Sequence, residues 1–110
     1  MLLLMLLFSC NLEAVDKQTF PARFAEAQCR VYKTCHRAYF DGEFELMETC
    51  EERVQADMIQ SNEELFADCD FLPEKAQDCL WLLDNFSCGD HWSKEDDIYQ
   101  ACHDDVWTCD

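Results

Sequence analysis

The stretch FPARFAEAQCRVYKTCHRA, residues 20–38, has an apolar residue at every third or fourth position of one continuous series. A helix turns once in about 3.6 residues, so this spacing puts the series on one helical face. Its members are Phe20, Phe24, Ala27, Val31, Cys35 and Ala38. Pro21 suits the first turn of a helix, where a backbone N–H donor is not needed. We therefore predict a first helix that begins near Thr19.

Shorter segments repeat the pattern towards the middle of the chain. Asp41 and Gly42 favour a turn after the first helix. A second helix is predicted next, with one apolar side made of Phe44, Met47, Cys50, Val54 and Met58. Residues 61–64, Ser-Asn-Glu-Glu, have the pattern of a capping box. They predict a short third helix around Leu65 and Phe66.

Two further helices are predicted in the last third of the chain. Pro73 opens the first of them, and Gly89 is the expected terminator. Its apolar face comprises Ala76, Cys79, Leu80, Leu83 and Phe86. Ser93 and Asp96 form a second capping pattern, before a face that carries Ile98, Cys102 and Cys109. Asp105 projects onto that face, so its carboxylate needs a partner or the helix ends before it.

These patterns predict an all-α fold, a small bundle of four to five short helices cross-linked by disulfides. The chain of 110 residues suffices for one small domain. Two glycines and two prolines are few for an all-β fold with many tight turns.

Nine cysteines in so short a chain are typical of a disulfide scaffold in an oxidising compartment. Zinc sites usually contain closely paired thiols such as C-x2-C, and the nearest pair here is Cys29 and Cys35. A metal is therefore not expected. We predict that eight cysteines form four disulfides between helices, with the connectivity left open: Cys29, Cys35, Cys50, Cys69, Cys79, Cys88, Cys102 and Cys109.

The N-terminus has an apolar run, residues 2–8, that is far shorter than the about 20 residues of a membrane-spanning helix. It is long enough for the apolar core of a signal peptide. The following residues, Leu7-Phe8-Ser9-Cys10, resemble the lipobox of bacterial lipoproteins. The resemblance implies a signal peptide over 1–9, a lipidated Cys10 with a tether over 10–18, and a disulfide-rich helical domain over 19–110.

The lipobox resemblance also implies a location and a membrane partner. Fatty acyl groups such as palmitate on Cys10 would anchor the chain to a membrane. Asn11, where an aspartate would favour retention at the inner membrane, implies the outer membrane of the cell envelope. Phe8 is bulkier than the residue usually found at its place in a lipobox, so the alternative is an ordinary signal peptide and a secreted, soluble product.

The spacing of cysteines from Cys29 to Cys109, with the segment CDFLPEKAQDCL at 69–80, resembles small cysteine-rich lipoproteins of myxobacteria and related bacteria. That family has no established activity, so the resemblance implies a location and a fold without a chemistry. The net charge of −16 disfavours nucleic acid as a partner, and it favours solubility or a cationic partner.

No catalytic constellation is present, so neither an enzyme nor a cofactor is expected. The histidines, His36, His91 and His103, lie in no nucleophile or zinc-protease motif. His103 with Asp104 and Asp105, together with His91, would suit a metal if the last loop folded back. We expect exposed histidines instead. Residues 68–70, Asp-Cys-Asp, begin like a calcium loop, but Pro73 replaces the required glycine.

Leu80-Trp81-Leu82-Leu83 contains four consecutive apolar residues, which cannot all face the core from a surface helix. Either this helix is buried on both sides, or Trp81 is exposed and anchors a partner. Trp92 is a second candidate for partner binding.

We therefore predict a non-enzymatic envelope lipoprotein with a binding or structural role and an envelope protein as partner. The alternative is a small secreted helical carrier, with a pocket for a small ligand or metal ion between disulfide-linked helices.

Overall fold

The computed structural model describes residues 15–85, 87–90 and 95–109. These residues form six α-helices, which are α1 (Phe20–Cys35), α2 (Arg37–Glu43), α3 (Met47–Ser61), α4 (Glu63–Asp68), α5 (Pro73–Asp84) and α6 (Glu95–Tyr99). A 3-10 turn spans Cys88–Asp90, and α6 continues as a π-helical turn over Gln100–Asp104. The predicted all-α class is confirmed, with one helix more than the predicted range.

A two-stranded antiparallel sheet closes the bundle at one point. Strand β1 (Asp70–Phe71) pairs with β2 (Trp107–Thr108), so that Phe71 lies opposite Trp107. Their rings meet edge to face, with centroids 5.5 Å apart. The aromatic pair therefore joins the segment between α4 and α5 to the C-terminal segment.

Helix α1 is the central element and packs against α2, α3 and α5. Phe20, Phe24, Ala27 and Val31 are buried, as their spacing predicted. The helix ends at Cys35 because His36 leaves the helical region, with φ −135° and ψ 57°. Ala38, predicted on the same face, lies in α2 and is exposed, so that part of the prediction is wrong.

The turn predicted at Asp41 and Gly42 is also wrong, since both residues lie inside α2. Phe40 and Phe44 are both buried, so packing draws the helix past this pair. The chain reverses at Glu45, whose φ is 67°. There the Leu46 N–H donates to the Phe44 carbonyl oxygen over 2.7 Å, a tight three-residue turn.

The short helix α4 forms where it was predicted, but Ser61 does not cap it. The residue before its first turn is Asn62, whose side-chain Nδ2 donates to the Met58 carbonyl oxygen at 2.8 Å. Asn62 therefore stabilises the end of α3, because that carbonyl lies in the last turn of the helix.

Helix α5 begins at Pro73, as predicted, and ends at Asp84, five residues before Gly89. Its predicted face is confirmed where it is described, since Ala76, Cys79, Leu80 and Leu83 are buried. Phe86 and Ser93, which also entered the sequence predictions, lie outside the described residues.

The last helical segment buries Ile98 and Cys102, as predicted. The helix ends at Asp104, so the exposed Asp105 needs no partner in the core. Cys109 follows β2 and is exposed, so its predicted place on the helical face is wrong. Residues 107–108 pair as a strand, so the helix ends before Cys109.

Four disulfides pair eight cysteines, as predicted: Cys29–Cys50, Cys35–Cys88, Cys69–Cys109 and Cys79–Cys102. Cys29–Cys50 joins α1 to α3, and Cys79–Cys102 joins α5 to the π-helical turn, both inside the core. The other two lie nearer the surface. Several disulfides in one small domain indicate an extracellular or otherwise oxidising compartment.

The packed domain starts no later than Val15, which belongs to the main apolar core and is 4% exposed. This residue lies within the segment 10–18 that was predicted to be the lipidated cysteine and tether, so the core extends into that segment. A turn at Asp16 and Thr19 then leads into α1, with the Thr19 N–H donating to Asp16 Oδ1 at 2.8 Å. This backbone hydrogen bond and a further one from the Thr19 side chain lower the pKa of Asp16.

Among the described residues, no helix is both long and apolar enough to cross a membrane.

Candidate functional site

A partly open cavity of about 240 Å³ lies between α1, α3 and the segment formed by α6 and the π-helical turn. Its apolar lining consists of Phe24, Val54, Met58 and Ile98, and two tyrosines, Tyr32 and Tyr99, add their rings. Its polar lining consists of Gln28, Asp57, Ser61, Glu95 and His103. Mixed apolar walls with a few polar groups are typical of small-ligand sites.

Helix α1 supplies one wall through Phe24, Gln28 and Tyr32, which are spaced by four residues. Gln28 is buried at 7% exposure, and its side chain hydrogen-bonds Tyr32. Burial raises the pKa of Tyr32 to about 12, with smaller contributions from Tyr39 and the Glu95 carboxylate. Tyr32 is therefore a neutral phenol at physiological pH.

His103 and Tyr99 form the facing wall from the C-terminal segment. The two rings stack, with centroids 4.6 Å apart and planes inclined by 28°. His103 also meets the edge of Phe24, at a centroid distance of 5.4 Å. The three rings form one continuous aromatic surface that crosses from α1 to the π-helical turn.

Burial keeps His103 in its neutral form. It lowers the pKa of the imidazole, although the nearby Asp104 acts in the opposite direction. Asn62 Nδ2 lies 3.3 Å from His103 Nδ1. Because an amide nitrogen can only donate, Nδ1 accepts and carries no proton, as in the neutral ring. His103 was predicted to be exposed, and that prediction is wrong because Phe24 and Tyr99 pack against the ring.

The described part of the chain does not form the alternative arrangement in which His103, Asp104 and Asp105 would hold a metal. Asp104 and Asp105 are exposed, and the described residues contain no group of three or more potential ligands. His91, the other half of that hypothetical site, lies outside the described residues. His36 is half-buried rather than exposed, because it lies at the junction of α1 and α2.

Trp81 lies on the outer side of α5 with 62% of its surface exposed. Its neighbours Leu80 and Leu83 are buried and Leu82 is half-buried. The alternative of a helix buried on both sides is therefore wrong, because the side of α5 that carries Trp81 is exposed, although α5 packs against α1, α6 and the π-helical turn. Trp92 and Cys10, the other two sequence candidates, lie outside the described residues.

Five residues of the cavity lining were not predicted from the sequence: Gln28, Tyr32, Asp57, Glu95 and Tyr99. One signal was present, since Phe24, Gln28 and Tyr32 share a stripe beside the main apolar face of α1. Tyr99 and His103 are likewise four residues apart. The local spacing does not show that these two stripes face each other across the cavity.

A scan against protein-family models found no match for the chain, and neither did searches of curated proteins and of solved structures.

Proposed function

We propose that this chain is an exported, non-enzymatic binding domain that holds a small organic ligand between its disulfide-linked helices. The observation that carries the proposal is the partly open cavity of about 240 Å³ between α1, α3 and the C-terminal segment. Pockets for drug-sized ligands usually measure about 300–1,000 Å³, so this one suits a smaller molecule.

Disulfides support the proposal because they hold the walls of the cavity. Cys29–Cys50 links the two long helices, α1 and α3, that form two sides of it. Cys79–Cys102 holds the π-helical turn next to His103. A site with fixed walls loses little conformational entropy when a ligand enters, which favours binding by a small domain.

The test is a ligand screen on the full, oxidised chain, read as a thermal shift. The panel contains small neutral, anionic and cationic organic molecules. Ser61→Trp is the informative variant, since this exposed residue lines the cavity and a larger side chain there fills the entrance. Gln60→Trp is the matched control, an exposed neighbour on the same helix that does not line the cavity.

We expect a hit that stabilises the wild type and Gln60→Trp but not Ser61→Trp. Native mass spectrometry of protein from its own host should show the same pattern for a bound molecule. Equal stabilisation of both tryptophan variants, or no bound molecule in either experiment, would contradict the proposal.

We further propose that the domain is held at the outer membrane of a bacterial envelope through a lipid on Cys10. The eight other cysteines pair with one another, which leaves the ninth for this use. Two or more acyl chains would anchor the protein stably. This anchoring agrees with the resemblance of the N-terminus and the cysteine spacing to small bacterial lipoproteins.

Intact-mass spectrometry of membrane-extracted protein tests the anchor. We expect a polypeptide that begins at Cys10, carries a triacyl mass increment and has lost eight thiol hydrogens. Cys10→Ser, expressed in the same host, should lose the lipid and leave the membrane fraction. A mature chain that starts elsewhere without lipid would refute the anchor and leave export in place.

A second candidate function is attachment to an envelope protein through α5. It is favoured by the large exposed area of Trp81, since exposed tryptophans often anchor protein partners. Trp81→Ala should leave the fold unchanged and abolish cross-linking to that partner in intact cells. Lys75→Ala, an exposed change on the same helix, should keep it. Equal cross-linking by both variants would rule this surface out.

A further inference from the structure

The cavity combines aromatic faces with negative charge. Tyr32, Tyr99 and Phe24 bring rings to it, and Asp57 and Glu95 bring carboxylates. Both carboxylates are exposed at the entrance of the cavity rather than buried in the core. Tyr99 belongs to the aromatic wall and also reaches the solvent at the entrance, since 59% of its surface is exposed.

Positive charge is missing from the described lining of the cavity. It contains no Lys or Arg, and its histidine is kept neutral by burial. Arginines elsewhere in the described bundle are engaged, as Arg30 is with Asp84 at 2.8 Å and Arg53 is with Glu43 at 3.5 Å. The Glu95 carboxylate interacts electrostatically with Tyr32 on the opposite wall, since it contributes to the raised pKa of Tyr32.

The buried polar side chains of the inner wall, and of Asn62 next to it, already have hydrogen-bond partners. Gln28 bonds to Tyr32, and Asn62 bonds to both Met58 and His103. No buried side-chain nitrogen or oxygen within the described ranges lacks a partner. A ligand that relied on many hydrogen bonds would therefore have few free partners on the inner wall. An apolar, positively charged ligand would instead be complemented by the aromatic rings and the carboxylates of the lining.

We infer that the ligand is a small organic cation, an ammonium or quaternary ammonium group on a compact apolar body. Its positive centre would lie over the ring of Tyr99 or Tyr32, within reach of the ring quadrupole, and near Glu95 and Asp57. The net charge of −16 adds a long-range attraction for such a ligand. This inference rests on the proposed function and specifies the ligand class.

Three probes of nearly equal shape test the charge requirement. They are choline, its neutral carbon isostere 3,3-dimethylbutan-1-ol, and the anion 3,3-dimethylbutanoate. Each is titrated into the full oxidised chain and followed by NMR at the ring signals of Tyr99 and His103. We expect choline to bind at least about tenfold more tightly than the alcohol, and the anion not to bind.

Variants then assign the effect to residues. Asp57→Asn and Glu95→Gln should each weaken choline binding by about two- to fivefold. Tyr99→Leu should weaken it by a similar factor, whereas Tyr99→Phe keeps the ring and should not. Glu63→Gln is the matched control, an exposed carboxylate outside the cavity lining. Raising the salt concentration should weaken choline binding and leave the alcohol unaffected.

The outcomes separate this inference from the proposed function. If the alcohol binds as tightly as choline and Ser61→Trp blocks both, the cavity is a ligand site and the cationic class is wrong. Choline affinity that is unchanged in both carboxylate variants would also overturn the inference. If none of the probes and none of the wider panel binds, the proposed function and the inference both fail.

Discussion

His103 is held as a neutral imidazole by its surroundings. Phe24 and Tyr99 cover its ring, and Nδ1 faces a donor on Asn62. Protonation would place a charge among these rings and set two donors against each other. The same residue therefore shapes the cavity wall and makes the fold sensitive to acid.

We predict that His103→Gln reduces the loss of stability between pH 7 and pH 5. The pKa of His103 in the folded chain is below its ordinary value of 6.5, so the unfolded chain binds more protons in that window. The free energy of unfolding must then rise with pH through the window, reach its full value above about 6.5, and fall as the pH drops.

Urea denaturation at several pH values measures this effect. The wild type should lose more stability on acidification than His103→Gln. If the wild type and His103→Gln lost equal stability on acidification, the pKa of this imidazole would be the same in the folded and unfolded chains, and the prediction would be wrong.

At the scale of single elements, α2 shows how packing overrides a local turn signal. Phe40 and Phe44 are 1% and 6% exposed, and they form a second apolar cluster with Cys29 and Cys50. Burying two aromatic rings outweighs the preference of one Asp-Gly pair, because each buried ring contributes about 1.5–3 kcal/mol. The reversal moves to Glu45, which adopts the left-handed region although it is not glycine.

Gly42→Ala should therefore stabilise the protein by about 0.5–1 kcal/mol. Gly42 lies inside a helix without a positive φ, and a Cβ at this position meets nothing within 4 Å. The measurement is the free energy of unfolding in urea. Gly89→Ala is the control, because that glycine also has open space around it but lies outside an α-helix. A destabilising Gly42→Ala would indicate that residues 41–42 form the turn after all.

At the scale of the whole molecule, two of the disulfides attach short segments with little regular secondary structure to the helical bundle. Cys35–Cys88 attaches the turn at 88–90 to the end of α1. Cys69–Cys109 lies beside the two-residue strands and holds the C-terminal segment. A domain this small has a limited apolar core, so covalent links contribute a large share of its stability.

We predict that Cys29→Ala/Cys50→Ala destabilises the protein more than Cys35→Ala/Cys88→Ala does. The sequence separations are 21 and 53, so chain entropy alone favours the second link by about 0.8 kcal/mol. Cys29 and Cys50 are fully buried, however, whereas Cys88 is exposed. Losing two buried sulfurs removes about 1.6 kcal/mol of apolar burial, which outweighs the entropic difference.

Urea denaturation of the two oxidised double variants compares these effects. Each should lose about 3 kcal/mol or more. A larger loss in Cys35→Ala/Cys88→Ala would mean that loop length dominates over packing in this domain.

The sequence by itself determined the local features of this protein. The three- and four-residue spacing from Phe20 to Val31 predicted α1, and Pro73 predicted the start of α5, because both signals act within one helical turn. The number of cysteines likewise predicted four disulfides. Only the tertiary structure decided which cysteines pair, that Trp81 faces outward, and that Tyr32 and Tyr99 line one cavity. These features depend on the relative placement of distant helices, which follows from packing across the whole bundle and is not fixed by local spacing.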